Sequence, residues 1–171
     1  MKKIPLIIDT DPGVDDTTAL IMSMAWDGFD IKAFTTVGGN VELKYTAANA
    51  KNISLLCGKD IPVAKGAEVP LYKTLTTASH IHGINGMGTI VLEASKNPFL
   101  EKSAIEVIYE QAKLCKGELR VLTLGPLTNL AGALLKYPDL AKNIHSVVSM
   151  GGSIGLGNVT PAAEFNIYAD P

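Results

Sequence analysis

Ile4-Pro5-Leu6-Ile7-Ile8-Asp9-Thr10-Asp11-Pro12-Gly13-Val14-Asp15-Asp16 is the stretch on which the fold turns. Ile4–Ile8 is a continuous apolar run with Pro5 near its start. That pattern suits a strand buried on both faces of a parallel sheet better than an alternating surface strand. The run stops at an acidic, turn-rich segment, Asp9–Asp16. A helix is expected from Thr17 to Trp26, with Asp15 or Asp16 near its N-cap.

The same order repeats downstream. A strand is expected at Ile31–Val37, then Gly38-Gly39-Asn40 and a helix over Leu43–Leu56 that Gly58 stops. Ile61–Ala64 reads as a short strand. Over Ala104–Cys115, Ile105, Ile108 and Ala112 share one helical face. Leu119–Leu124 is a strand ended by Gly125-Pro126, Thr128–Lys136 a helix, and Ile144–Met150 a strand closed by Gly151-Gly152. Lys65–Pro98 fits the alternation least and reads as a long excursion over one edge. The alternation argues for a single α/β domain over residues 1–171, with a mostly parallel open sheet and helices on both faces. The polar segments Asp9–Asp16, Gly38–Asn40 and Gly125–Asn129, and the stretch after Met150, each follow the carboxyl end of a strand. Ligands of open α/β sheets bind at that edge.

Composition narrows the partners. Hydrophobic residues at 47% and charged ones at 19% describe a globular domain, not a disordered one. The formal net charge is −2 and no basic block occurs, which argues against nucleic acid. The N-terminal apolar run is too short for a signal h-region or a membrane span, so the cytoplasm is expected and no membrane partner. Cys57 and Cys115 lack CxxC spacing and fall at helix ends, as buried or half-buried thiols.

Asp9, Asp11, Asp15 and Asp16 lie within eight residues with no Lys or Arg between them. Such a cluster costs repulsion unless a cation neutralises it or a carboxylate takes up a proton. Oxygen donors without His or Cys favour a hard ion, Ca²⁺ or Mg²⁺. A turn at Asp-Pro-Gly and a helix cap explain two of the four acids. They do not explain four at the end of a buried strand. An EF-hand loop starting at Asp9 would place Gly and Glu where Val14 and Leu20 stand, which excludes it. A haloacid-dehalogenase-type phosphatase also opens with a strand into Asp-x-Asp, but usually shows Thr or Val at the position of Gly13.

Asp9–Asp16 is similar to the N-terminal fingerprint of the inosine–uridine nucleoside hydrolase family. Four further stretches agree in order: Thr35–Asn40, His82–Gly88, Leu124–Asn129, and Met150-Gly151-Gly152 with Ala163–Asn166. The resemblance implies a Rossmann-like fold and hydrolysis of the N-glycosidic bond of ribonucleosides, in nucleoside catabolism and salvage. It implies Ca²⁺ held by Asp11 and Asp16 and by the backbone carbonyl of Leu124. Asp15 and Asn40 would bond the ribose hydroxyls, and Asn158, Glu164 and Asn166 would grip the other side of the sugar. His82 would sit near the substrate on a mobile loop, and Met150 beside the sugar. His80 and His145 have no motif support and read as surface or structural residues.

The chemistry suits these roles. Cleavage develops an oxocarbenium-like ribosyl cation, which a carboxylate-rich pocket stabilises. Asp11 is the expected general base toward water, with Ca²⁺ fixing the diol and the line of attack. Glu164 and Asn166 flank Phe165 and would point one way from an extended segment. Ile84 stands where the family more often has Glu, and Leu124 where some members have Thr. Members of the family run longer, with a later Asp ligand and often a His for the leaving base. The chain is therefore expected to be an N-terminal portion, incomplete at its C-terminus, of a protein that forms a homodimer or homotetramer. A non-catalytic Ca²⁺- and ribose-binding fragment is the first alternative, the phosphatase the second.

Overall fold

Leu6 and Ile8 face one side of a central strand and Ile7 the other, and all three are buried. In the computed structural model, which describes residues 2–171, that strand is β1 (Ile4–Thr10). It is followed by α1 (Val14–Ala25), β2 (Phe29–Thr36), α2 (Leu43–Leu56), β3 (Val63–Lys65) and the single turn α3 (Ser79–His82). Then come α4 (Ala104–Leu114), β4 (Leu119–Thr123), α5 (Thr128–Lys136), a 3₁₀ turn at Pro138–Lys142, β5 (Ile144–Ser149) and the short α6 (Phe165–Ala169).

The five strands lie in the order β3-β2-β1-β4-β5, and every pairing is parallel. Two apolar layers explain why β1 carries no alternation. Leu6, Ile8 and Phe34 pack with Leu20 and Met24 of α1 and with Ala50 and Ile53 of α2. Ile7, Ala33 and Val121 pack on the opposite face with Val107 and Ile108 of α4 and Ala133 of α5. Burying each such aliphatic chain contributes about 1.5–3 kcal/mol. Only β5, at the outer edge, leaves large apolar side chains exposed on the sheet, at Val147 and Val148. Cys57 and Cys115 cap α2 and α4 at their C-terminal ends and are half-buried, as the sequence suggested. No helix among the described residues is long and apolar enough to cross a membrane.

Three local expectations need correction. Helix α1 starts at Val14, not Thr17, because both the N–H and the hydroxyl of Thr17 bond the Gly13 carbonyl, at 3.1 and 2.7 Å. Its N-cap is Gly13, without a side-chain bond, so Asp15 and Asp16 occupy the first turn and favour the positive helix end from there. Residues 165–169 are helical, not extended. Glu164 is the N-cap, and its carboxylate takes the N–H groups of Asn166 and Ile167, which no neighbouring strand is present to receive. Finally, the excursion after Lys65 crosses the carboxyl ends of the strands. Gly38 N–H donates to Ala67 O, Ala78 N–H to Asn40 O, and the Asn49 amide to Pro12 O and Asn85 O.

Candidate active site

The chain leaves β1 toward β2 on one side, and β4 flanks β1 on the other, so the order reverses between β1 and β4. The crevice outside their carboxyl ends is where such sheets take ligands. Asp11 forms its floor and is fully buried. The Asn40 N–H donates to Asp11 Oδ2 at 2.7 Å, and Oδ1 has no hydrogen-bond partner. Gly39 and Gly125 close in from either side, and a Cβ at either would collide with the Asp11 carboxylate. Asp16, also buried, accepts from the Thr10 hydroxyl at 2.5 Å and from the Asn40 amide at 3.2 Å. The same amide reaches the Asp11 carbonyl oxygen at 3.2 Å. One asparagine thus ties two acids together.

Burial sets their protonation. It pushes the Asp11 carboxyl well above the usual range, with the neighbouring Asp16 charge adding to the rise. Burial also pushes Asp16 up to about 6, against the bond from Thr10 and with help from the Asp15 charge. Asp15 itself lies at the mouth with its side chain 69% exposed, free to accept from a ligand. The His82 ring, only 12% exposed, accepts the Val14 N–H on Nδ1 at 3.3 Å. A nitrogen used in that way has no proton for Asp15, 3.9 Å off, so the proton sits on Nε2.

The facing wall comes from the segment after β5. Glu164 Oε2 accepts from the N–H groups of Gly152, Asn166 and Ile167 at 3.0–3.3 Å. The Asn166 amide donates to Leu124 O at 2.7 Å, Met150 O at 3.1 Å and Met150 Sδ at 3.2 Å. Asn158 accepts the Phe165 N–H through Oδ1 at 2.9 Å, which leaves its NH₂ for a ligand. These residues border one cavity of about 360 Å³ with Asp15, Asp16, Asn40, His82 and Leu124. That is enough for a small-molecule ligand. Asp11 lies beneath it rather than on its wall.

Several residues had no assigned role in the sequence. Thr76, Thr77, Ala78, His80 and Ile81 also line the cavity. His80 is therefore an exposed rim residue, and its place two positions before His82 was the available signal. Asp9 accepts from Thr35 Oγ1 at 2.5 Å and from the Asn129 amide at 2.8 Å, and its Oδ2 has no partner. Burial pushes its carboxyl up to about 6 despite those bonds. Fully buried, it does not fit the exposed nucleophile that a haloacid-dehalogenase-type phosphatase requires.

Among the described residues no group of three or more Asp, Glu, His or Cys side chains gathers around one point. The protein donors beside the crevice floor are two carboxylates, Asp11 and Asp16, with the Leu124 carbonyl next to Gly125. An orphaned buried carboxylate oxygen, a second acid tied to it and oxygen-only chemistry fit a hard divalent cation.

Residues 6–171 match the family described as inosine-uridine preferring nucleoside hydrolase. The non-specific ribonucleoside hydrolase RihC of Klebsiella pneumoniae subsp. pneumoniae is 40% identical over 170 residues, which is 99% of this chain and 56% of that protein. A probable uridine nucleosidase 2 of Arabidopsis thaliana is 41% identical over 170 residues, covering 97% and 53% of the two chains. Among solved structures, the plant nucleoside hydrolase PpNRh1 superposes with a TM-score of 0.93 at 36% identity, over 98% of this chain and 54% of its own. The purine-preferring ribonucleoside hydrolase from Gardnerella vaginalis also gives 0.93, at 33% identity, over 98% and 55%. The chain thus spans about half the length of the relatives it matches.

Proposed function

The chain belongs to the inosine-uridine preferring nucleoside hydrolase family, and from that premise we propose that it acts on ribonucleosides, hydrolysing the bond between ribose and base. The observation that carries this reading is the pairing of Asp11 and Asp16 through Asn40 at the floor of a cavity whose opposite wall is Glu164, Asn166 and Asn158.

Water adds to the anomeric C1′ as the C1′–N bond breaks. The bonding pair leaves with the base, which takes a proton from solvent. Asp11 accepts the proton of the attacking water. Without a cation, burial and the Asp16 charge raise its proton affinity, so it must first give up that proton to serve as the base. Asp15 and Asn40 hold the ribose hydroxyls. Glu164 and Asn166 grip the far side of the sugar with Asn158, and Met150 packs beside it. His82, with its proton on Nε2, presents a donor to the bound nucleoside. Asp15, Asp16 and Glu164 offset the positive charge that builds on the ribosyl group. Asp11, Asp16 and the Leu124 carbonyl would hold Ca²⁺, which would supply positive charge to order the vicinal diol and to acidify water.

The test is ribose release from uridine and inosine by this 171-residue chain, with CaCl₂ and then with a chelator. Chelator-sensitive release is expected. Release that ignores the chelator would remove the cation from the reading. A second reading, binding without turnover, is favoured because, among the described residues, no third acid, His or Cys converges with Asp11 and Asp16. Ribose affinity with no release in any condition would decide for it.

A further inference from the structure

Asn129 is fully buried and does not line the cavity. Its NH₂ donates to Asp9 Oδ1 at 2.8 Å and to Thr36 O at 3.0 Å, and its Oδ1 accepts the Ala67 N–H at 2.9 Å. Two acceptors on one side and a donor on the other leave a single orientation for the amide. The carbonyl of Ala67 in turn accepts the Gly38 N–H at 2.9 Å. Two residues further on, Asn40 places its backbone N–H on Asp11 and its side-chain amide on Asp16.

We propose that Asn129 is a positioning residue for the Asp11–Asp16 pair, acting through Ala67 and Gly38 on Asn40. The inference rests on the reading of that pair as the cation-holding floor of a nucleoside hydrolase site. Close packing leaves the relay no slack. A Cβ at Gly66 would strike the Asn129 amide and the Thr36 carbonyl, and a Cβ at Gly38 would strike the Glu68 carbonyl. Residues 66–68 are thus held between Asn129 and the 38–40 loop, and a shift at either end reaches the other. Interiors this dense transmit displacement instead of absorbing it. Asp9 belongs to the same device, since it fixes the donor side of the Asn129 amide from 120 positions away in sequence.

The test compares Asn129→Ala, Gly66→Ala and the double variant with the unaltered chain. It reads CaCl₂ affinity by calorimetry and amide hydrogen exchange residue by residue. Each single variant is expected to weaken Ca²⁺ about three- to tenfold, the loss of one hydrogen bond's worth of positioning. The amides of Gly38, Asn40 and Ala67 should exchange faster, while those of Ile7 and Ile8 should change far less. The double variant should lose no more than the larger single loss, because both cut one relay. Leu140→Ala, in the core away from the cavity, controls for general destabilisation and should leave Ca²⁺ affinity unchanged.

A uniform rise in exchange, additive losses, or an equal loss in Leu140→Ala would overturn the proposal. If Asn129→Ala does not fold, Gly66→Ala with the native Asn129 side chain decides by the same measures. If the unaltered chain binds no Ca²⁺, the functional reading fails on that point alone. The exchange pattern at Gly38, Asn40 and Ala67 then still decides the relay.

Discussion

The backbone N–H of Asn40 lies 2.7 Å from Asp11 Oδ2, while Asp11 Oδ1 is buried and has no hydrogen-bond partner. One oxygen is fixed and the other is left unsatisfied. A buried carboxylate left half-satisfied is costly, on the order of 1–3 kcal/mol for a polar group of this kind.

Asp11→Ala should therefore abolish ribose release, with a fall of about 10²–10⁴ expected for loss of a general base. Asp9→Asn should be milder, because Asp9 accepts only from Thr35 and Asn129 and, unlike Asp11, has no hydrogen bond to Asn40. A reducing-sugar assay decides. Equal turnover in Asp11→Ala and the unaltered chain would end the assignment.

Gly125→Ala and Gly39→Ala should damage the site without unfolding the chain. Either methyl would occupy space held by the Asp11 carboxylate. Overpacking of this kind costs about 1–3 kcal/mol. Calorimetry should show Ca²⁺ affinity reduced by about tenfold or more, with the circular dichroism spectrum retained. Normal affinity in both variants would show that Asp11 is not a ligand.

Cation affinity should fall as pH is lowered through about 6. Asp16 has its carboxyl pushed up to about 6 and Asp11 well above the usual range, so protons compete for both acids. Binding must displace them, which costs about a tenfold loss in affinity per pH unit for each proton released. Titrations at pH 5, 6 and 7 measure this, and a flat profile would exclude both carboxylates.

Asp9 should leave its mark on stability without any cation. Its carboxyl is raised from 3.8 to about 6 in the folded chain. The folded state therefore binds the proton more tightly, and the contribution is complete below about pH 4. It is lost as pH rises through about 6, a change on the order of 2–3 kcal/mol. Urea midpoints of the unaltered chain, measured relative to Asp9→Asn, should drop between pH 4 and 6 and level off above 7. A difference that grows with pH would contradict the burial of Asp9.

Much of this architecture was legible in the sequence for a local reason. The run Ile4–Ile8 must be buried on both faces, and the polar turns after Ile8, Val37, Leu124 and Met150 mark the carboxyl ends of strands. The five ordered motifs then placed the chain in its family, and Asp11, Asp16, Asn40, Glu164 and Asn166 do border or underlie one crevice. The helix start at Val14 and the cap at Glu164 were not legible, because both depend on which backbone groups have a partner in space.

The sequence by itself determined the alternation of strands and helices, the edge at which the chemistry gathers, and the family, since hydrophobic period and motif order are properties of neighbours along the chain. Only the tertiary structure decided the strand order, and with it the crevice between β1 and β4. It alone separated the four clustered acids, burying Asp9, Asp11 and Asp16 and leaving Asp15 in solvent. It also brought Asn129 onto Asp9 and Asn166 onto the Leu124 carbonyl. The physical reason is that the direction of a side chain follows from local backbone geometry, whereas its hydrogen-bond partner is set by how distant elements pack together.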